Sequence, residues 1–139
     1  MIHLVYVSSA TAEMTDTDLI FLLNQSRERN LRQNVTGMLL YCGGNFIQVL
    51  EGEAQDVEDI YDSIIKDDRN SGNIIVIKRE ISKRDFPDWS MGFKRLGVED
   101  KGKLSGFTEF LDKDIRPEEL TVNPSNVLKL LYQFKNVNL

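Results

Sequence analysis

The sequence has very little of what disulfides, zinc sites and catalytic triads require. Among its 139 residues there is one cysteine, Cys42, and one histidine, His3. A lone cysteine excludes an internal disulfide, and these two residues do not supply the four ligands of a structural zinc site. His3 is also the only histidine available as a base, so no Ser-His-Asp triad is expected, and a histidine within an apolar segment is more often simply packed.

Long apolar runs and an excess of positive charge are missing too. No uncharged apolar stretch approaches the roughly 20 residues that cross a bilayer, so no membrane span is expected. No basic segment precedes the apolar residues Ile2 to Val7, so a secretory signal is not expected and the predicted location is cytoplasmic. The 17 basic and 22 acidic residues give a formal net charge of −5, which argues against general nucleic-acid binding.

What the sequence does contain is a regular alternation of apolar strands and amphipathic helices. Five apolar, β-branched or aromatic segments predict strands: Ile2–Val7, Val35–Cys42, Asn45–Leu50, Ile74–Ile81 and Met91–Leu96. Gly43 and Gly44 are predicted to form the turn of a hairpin between the second and third strands. A first helix is predicted from Thr15 or Asp16 to about Arg29. A second helix has one apolar face, made by Val57, Ile60, Tyr61, Ile64 and Ile65.

The order β-α-β-β-α-β-β predicts an α+β fold of the ferredoxin-like type, a five-stranded mixed sheet with two helices on one face. Residues 1–96 are predicted to form this domain, and residues 97–139 are predicted to form a C-terminal extension. Two segments of the extension, Lys101–Leu111 and Asn123–Phe134, are predicted to be helical. We expect them to cover the other face of the sheet, because strands such as Phe46–Leu50 are apolar on both sides.

Two polar side chains lie where a core is predicted. Gln48 shares one strand face with Phe46 and Leu50, and Tyr6 shares one with Ile2 and Leu4. A buried amide and a buried phenol must both find hydrogen-bond partners. They can serve neighbouring protein groups, serve one another on adjacent strands, or both serve a bound polar ring.

Other candidate chemistries have weaker support. The three glycines Gly37, Gly43 and Gly44 match neither the Walker spacing nor the dinucleotide-binding fingerprint. A group of acidic residues is better explained as a solvated helix face than as a metal site: Glu51, Glu53, Asp56, Glu58, Asp59 and Asp62.

Five segments in order resemble a BLUF domain, the blue-light sensor that binds flavin. They are Leu4–Ser8, Asn34–Tyr41, Phe46–Glu53, Asp67–Arg69 and Phe86–Met91. Each motif is weak alone, but five in register are specific, and the resemblance covers about residues 2 to 96. The remainder resembles the two short C-terminal helices of stand-alone family members. The resemblance implies the fold predicted above, with both helices on the flavin face.

The resemblance also implies roles for individual residues in the light reaction. Tyr6 corresponds to the tyrosine that donates an electron and a proton to the excited flavin. Gln48 corresponds to the glutamine between that tyrosine and the flavin N5 and C4 carbonyl. Trp89 and Met91 correspond to the pair on the last strand that exchanges contact with the glutamine.

The same comparison implies a set of flavin-binding residues beside Tyr6 and Gln48. Leu22 and Ile64 match positions that sandwich the ring, Asn30 and Arg69 match residues at its polar edges, and Ser26, Asp67 and Asn70 complete the polar surround. Two positions depart from the family pattern. Asn70 replaces the usual histidine after the arginine, and Arg29 replaces the Asn or His that often precedes the ring-binding asparagine. Flavin binding is expected to survive these changes, whereas affinity or photocycle rate is expected to differ.

We therefore predict a non-enzymatic blue-light sensor that holds FAD, with FMN as the alternative, without a covalent bond. It is expected to form a homo-oligomer and to signal to a separate effector, such as a protein of the response-regulator type. The competing hypothesis is a small-molecule-binding module or small enzyme on a ferredoxin-like fold without photoactivity. Absorbance separates the two, because only the sensor is yellow and shifts reversibly to the red under blue light.

Overall fold

The computed structural model describes residues 1–41 and 44–87, and the backbone of residues 42 and 92–95. In chain order the elements are β1 (Ile2–Ala10), α1 (Asp16–Arg32), β2 (Thr36–Cys42), β3 (Asn45–Gly52), α2 (Ala54–Ile65), β4 (Asn70–Glu80) and β5 (Gly92–Arg95). The predicted α+β class is confirmed. Trp89, Met91 and the predicted C-terminal helices of residues 97–139 lie outside the described residues.

The strands form one sheet in the order β4-β1-β3-β2-β5. The pairs β1–β4, β1–β3 and β2–β3 are antiparallel, whereas the short strand β5 pairs with β2 in parallel, so the sheet is mixed as predicted. The two central strands, β1 and β3, run antiparallel with Tyr6 directly opposite Gln48 and His3 directly opposite Glu51. These two pairs therefore lie on opposite faces of the sheet.

The helices pack on the sheet face that carries Tyr6. The core on this side combines strand residues with the apolar faces of both helices: Ile2, Leu4, Tyr6, Leu19, Leu23, Leu39, Phe46, Leu50, Val57, Ile60, Tyr61 and Ile64. Strand residues of the opposite face, such as Val5, Met38 and Val49, are also fully buried. The central strands are thus apolar on both faces, and the covering of the second face by residues 97–139 stays a prediction.

Local sequence explains where the helices and the hairpin begin. Thr15 caps α1 in a capping box, with its hydroxyl accepting the Asp18 amide and the Asp18 carboxylate accepting the Thr15 amide. Gly44 has φ +80°, which suits the turn between β2 and β3. At Gly37 a Cβ atom would lie 1.9 Å from the Val49 carbonyl oxygen, so only glycine fits where β2 lies against β3.

One predicted core position in α2 is wrong. Ile65 is 49% exposed. The buried face of α2 is made by Val57, Ile60, Tyr61 and Ile64, and the residue that follows Ile64 is turned about 100° away from that face. Among the residues that the structure describes, no helix has the length and apolar character needed to span a membrane.

Candidate functional site

A cavity of about 400 Å³ opens between the two helices above the sheet. Its floor comes from the strands, and its walls come from α1 and from the end of α2 with the turn that follows. The lining residues are Tyr6, Leu22, Gln25, Ser26, Arg29, Arg32, Leu39, Phe46, Gln48, Ser63, Ile64, Lys66, Asp67, Arg69 and Asn70. The structure thus brings together eight of the nine side chains expected to bind flavin; Asn30 is not among the lining residues.

A hydrogen bond between Tyr6 and Gln48 forms the floor of the cavity. The phenol oxygen of Tyr6 donates to Oε1 of Gln48 over 2.5 Å. Both side chains are almost completely buried, at 3% and 2% exposure. Burial raises the pKa of the Tyr6 phenol well above its usual range, against a smaller opposing effect of the Arg29 charge. The phenol is therefore neutral at physiological pH, and its proton is directed at the glutamine carbonyl.

Asp67 holds Arg69 across the mouth of the cavity. The Asp67 carboxylate accepts hydrogen bonds from Nε and Nη2 of Arg69, and its Oδ1 also accepts one from the backbone amide of Arg69. The remaining arm of the guanidinium, Nη1, donates to Oε1 of Gln25 on α1 over 2.8 Å. These bonds lower the pKa of Asp67 and raise that of Arg69, so both groups stay charged. The pair connects the turn after α2 to α1.

Asn30, which follows the cavity-lining residue Arg29 on α1, has an unsatisfied side-chain amide. Its side chain is fully buried, and Oδ1 accepts Nε of Arg29 over 3.3 Å. Its Nδ2 atom has no hydrogen-bond partner within the part of the chain that the structure describes. A buried donor without a partner is costly, so this atom is suited to an acceptor on a bound molecule.

Two other expected ligands use their polar groups locally. Asn70 donates Nδ2 to the carbonyls of Ile64 and Asp67, and so caps the end of α2. Ser26 donates its hydroxyl to the carbonyl of Leu22, one turn earlier in α1. Both residues line the cavity, but their side-chain donors are occupied by backbone.

The sequence prediction omitted several lining residues, or named them without assigning them to the site. They are Gln25, Arg29, Arg32, Leu39, Phe46, Ser63 and Lys66. Helical spacing could have revealed Gln25 and Arg29, since they lie three and seven residues after Leu22 on the same face of α1. Trp89 and Met91 lie outside the described residues, so their expected contact with Gln48 stays a prediction.

A second polar cluster lies on the opposite face of the sheet. Nδ1 of His3 lies 2.7 Å from Oε2 of Glu51, and the backbone amides of Asp85 and Phe86 donate to the two Glu51 oxygens over 3.0 and 2.6 Å. Glu51 is fully buried, so assigning it to a solvated face was wrong. His3, Glu51 and Asp85 could approach a metal ion together, but the Glu51 oxygens are already filled by these donors.

The lining of the cavity fits an isoalloxazine ring. Such a ring has an apolar body and polar edges, with two carbonyls, an N–H and a basic ring nitrogen. Leu22 from α1 and Ile64 from α2 give apolar walls, and Gln48 and Arg69 give polar groups for the edges of the ring. The site is thus suited to a domain that binds flavin.

The comparison with known proteins agrees with the geometry. A sequence profile of the BLUF family, described as "Sensors of blue-light using FAD", matches residues 1–92. The chain therefore belongs to the BLUF family.

Individual relatives show how far the similarity extends. Photoactivated adenylate cyclase subunit beta of Euglena longa is 34% identical over 89 residues, which is 63% of this chain and 10% of that protein. The chain thus spans about a tenth of the cyclase relatives that it matches. The blue light- and temperature-regulated antirepressor BluF of Escherichia coli is 39% identical over 49 residues, covering 35% of this chain and 12% of that protein.

Solved structures are similar as well. The dark-state structure of BlrB, a BLUF protein, has a TM-score of 0.73 at 26% identity, covering 96% of this chain and 94% of that one. A bacterial light-regulated adenylyl cyclase has a TM-score of 0.68 at 32% identity, covering 73% of this chain and 31% of that one.

Proposed function

We propose that the chain senses blue light through proton and electron transfer from Tyr6 and a resulting change in the hydrogen bonding of Gln48. The observation that carries this proposal is the buried Tyr6–Gln48 hydrogen bond on the floor of a cavity suited to flavin. When bound, the flavin supplies blue-light absorption and a strong one-electron oxidant next to the phenol.

The chain's own residues orient the ring and move one proton. Leu22 and Ile64 hold the ring body, and Asn30, through its unsatisfied Nδ2, holds a carbonyl edge. Tyr6 loses an electron more readily as its proton passes toward Oε1 of Gln48, which already accepts that proton as a hydrogen bond. The amide ends of Gln48 have nearly the same shape but opposite hydrogen-bonding character, so a rotated or tautomeric amide can persist in the dark.

The cofactor and the output follow from the family. We infer FAD, as the family description states, held without a covalent bond. The relatives are named as cyclases or as an antirepressor, so their sensors act with different effectors. For this chain we propose a separate effector protein and a homo-oligomeric sensor in the cytoplasm, with Trp89, Met91 and residues 97–139 passing the signal on from the 1–96 domain.

Absorbance of the purified protein tests the proposal. The protein should be yellow, its flavin band should shift to the red under blue light and return in the dark, and denaturation should release all the flavin. Chromatography of the released flavin then distinguishes FAD from FMN. A colourless protein whose apo form does not bind added FAD would support the competing binding module. A yellow protein without a light-induced shift would contradict the Tyr6–Gln48 mechanism.

A further inference from the structure

The cavity between the helices contains a half-buried cation that has no counter-ion. Arg29 lies in the last turn of α1 and lines the cavity. Its Nε donates a hydrogen bond to Oδ1 of Asn30 over 3.3 Å. Among the residues that the structure describes, no carboxylate lies within ion-pair distance of Arg29. Its positive charge is therefore not neutralised by a neighbour.

The other three cations of the lining are screened more strongly. Arg69 is paired with the Asp67 carboxylate, so the two charges largely cancel. Arg32 and Lys66 are exposed, and water and salt weaken the field of an exposed charge. Arg29 therefore supplies the least screened positive charge in the cavity.

Helix stability does not explain why a charged side chain occupies this position. Burial lowers the pKa of Arg29, which means that the charged form is disfavoured there. The negative end of the helix dipole favours basic residues in the last turn of α1. The exposed Arg32 gains from that dipole without the cost of burial.

The charge of Arg29 acts on the phenol at the floor of the cavity. Among the neighbouring ionisable groups that shift the pKa of Tyr6, Arg29 has the largest effect, and it lowers this pKa against the greater effect of burial. A cation that favours loss of the phenol proton favours its transfer to Oε1 of Gln48, which already accepts that proton as a hydrogen bond. The same cation favours negative charge on a ring held in the cavity.

We propose that Arg29 tunes the light reaction through its charge, by stabilising the electron that the flavin receives and by promoting departure of the Tyr6 proton. The inference rests on the proposed light sensor. In this step Tyr6 is oxidised by one electron and the excited flavin is reduced by one electron, while the phenol O–H bond breaks and a bond from that proton to Oε1 of Gln48 forms. Loss of the proton leaves the oxidised Tyr6 neutral, so the nearby cation does not oppose it.

The midpoint potential of the bound flavin tests the inference without light. Two-electron reduction gives an anionic flavin at neutral pH, so removing the cation should make reduction less favourable. We expect the equilibrium constant to fall about tenfold in Arg29→Gln, which corresponds to a potential lower by about 30 mV. Equilibration with a redox dye in the dark measures this change. Under weak blue light the red shift of Arg29→Gln should also form with a lower quantum yield.

Two further variants separate charge from packing. Arg29→Lys keeps the charge but loses the guanidinium fork, and should restore most of the potential. Arg27→Gln removes one positive charge from an exposed position of α1 outside the cavity, and should leave the potential unchanged. If circular dichroism shows that Arg29→Gln does not fold, Arg29→His provides a charge that can be removed by pH. Its potential relative to the parent should then fall as the imidazole loses its proton between about pH 5 and 8.

The possible failures are distinguishable. An unchanged potential in Arg29→Gln, with flavin bound and the red shift intact, would overturn the role of Arg29 and leave the light sensor standing. An equal fall in Arg29→Lys, or in Arg27→Gln, would show that the charge at this position is not the cause and would overturn it too. If the parent protein binds no flavin, the proposed function fails and the role of Arg29 fails with it.

Discussion

His3 and Glu51 face each other across the two central strands, with Nδ1 of the imidazole 2.7 Å from Oε2 of the carboxylate and both side chains fully buried. The same carboxylate accepts the backbone amides of Asp85 and Phe86. Glu51 therefore fixes the segment after β4 onto the sheet, on the face opposite the cavity.

Replacing Glu51 with glutamine should destabilise the fold. The amide would present N–H donors where the carboxylate now accepts backbone N–H groups, so at least one buried donor loses its acceptor. We expect a loss of about 2–4 kcal/mol in the free energy of unfolding, measured by urea denaturation. Glu53→Gln is the control, because the exposed Glu53 side chain makes no cap hydrogen bond to α2; it should change stability by less than about 0.5 kcal/mol. Equal midpoints for both variants would contradict this role.

Tyr6→Phe should keep the flavin and lose the light response. The ring of phenylalanine preserves packing against Tyr61, whose centroid is 5.3 Å away, while the phenolic proton and the ease of oxidation are removed. Difference spectra under blue light measure the outcome, with Tyr61→Phe as a matched control that should retain the red shift. A full red shift in Tyr6→Phe would show that Tyr6 is not the donor.

Gln48→Leu should also bind flavin without the red shift. Leucine has a similar size but neither a carbonyl to accept the Tyr6 proton nor an amide to rearrange. Because the variant leaves the Tyr6 hydroxyl buried without its partner, we also expect about 1–3 kcal/mol of destabilisation. A normal shift in absorbance would refute the switch, whatever the change in stability.

The buried phenol makes stability depend on alkaline pH. Burial raises the pKa of Tyr6 in the folded protein, whereas in the unfolded chain it is about 10. The folded state therefore holds the proton to higher pH, and stability is complete below about pH 10 and falls above it, by at most about 1.4 kcal/mol per pH unit for this group. Urea unfolding of apoprotein between pH 8 and 11 should show a steeper decline in the parent than in Tyr6→Phe. Tyr61, whose pKa burial also raises, contributes equally to both.

The strand pattern alone predicted the two polar residues at the centre of the site, but not that they contact each other. Alternation placed Tyr6 with Ile2 and Leu4 on one face, and Gln48 with Phe46 and Leu50 on one face, because side chains on a strand repeat every two residues. Pairing of β1 with β3 then brought phenol and amide together, one of the three arrangements that the sequence allowed.

Strand ends could not be predicted from local pattern. The sequence predicts that β1 stops at Val7, because Ser8 and Ser9 resemble a turn. In the structure Ser9 pairs with Asn45 of β3 and with Ser71 of β4, and Ala10 pairs with Asn70 of β4. Pairing with these two strands therefore extends β1 beyond its apolar part, and β4 is extended in the same way at its start. Partner strands decide such boundaries, and a single segment does not contain that information.

The partners of polar side chains were equally hidden. Glu51 lies in a run of acidic residues, yet it is buried beside His3. The local pattern did not reveal this because His3 is 48 residues away in the chain. Arg32 and Lys66 come to one cavity only through the relative placement of two helices. Asn70 has the right chemistry for a ligand, but its amide is used as a helix cap.

Tyr6 and Gln48 are 42 positions apart in the chain, so the yellow colour of bound flavin also reports on folding. The floor of the cavity does not exist until β1 and β3 are paired, so an unfolded chain has no site for flavin. Free flavin should therefore pull the equilibrium toward the native state by mass action, by about 2.7 kcal/mol at a hundred times the dissociation constant. Cells or refolding mixtures short of flavin should then yield less folded protein. Added flavin should therefore promote folding, in addition to absorbing the light.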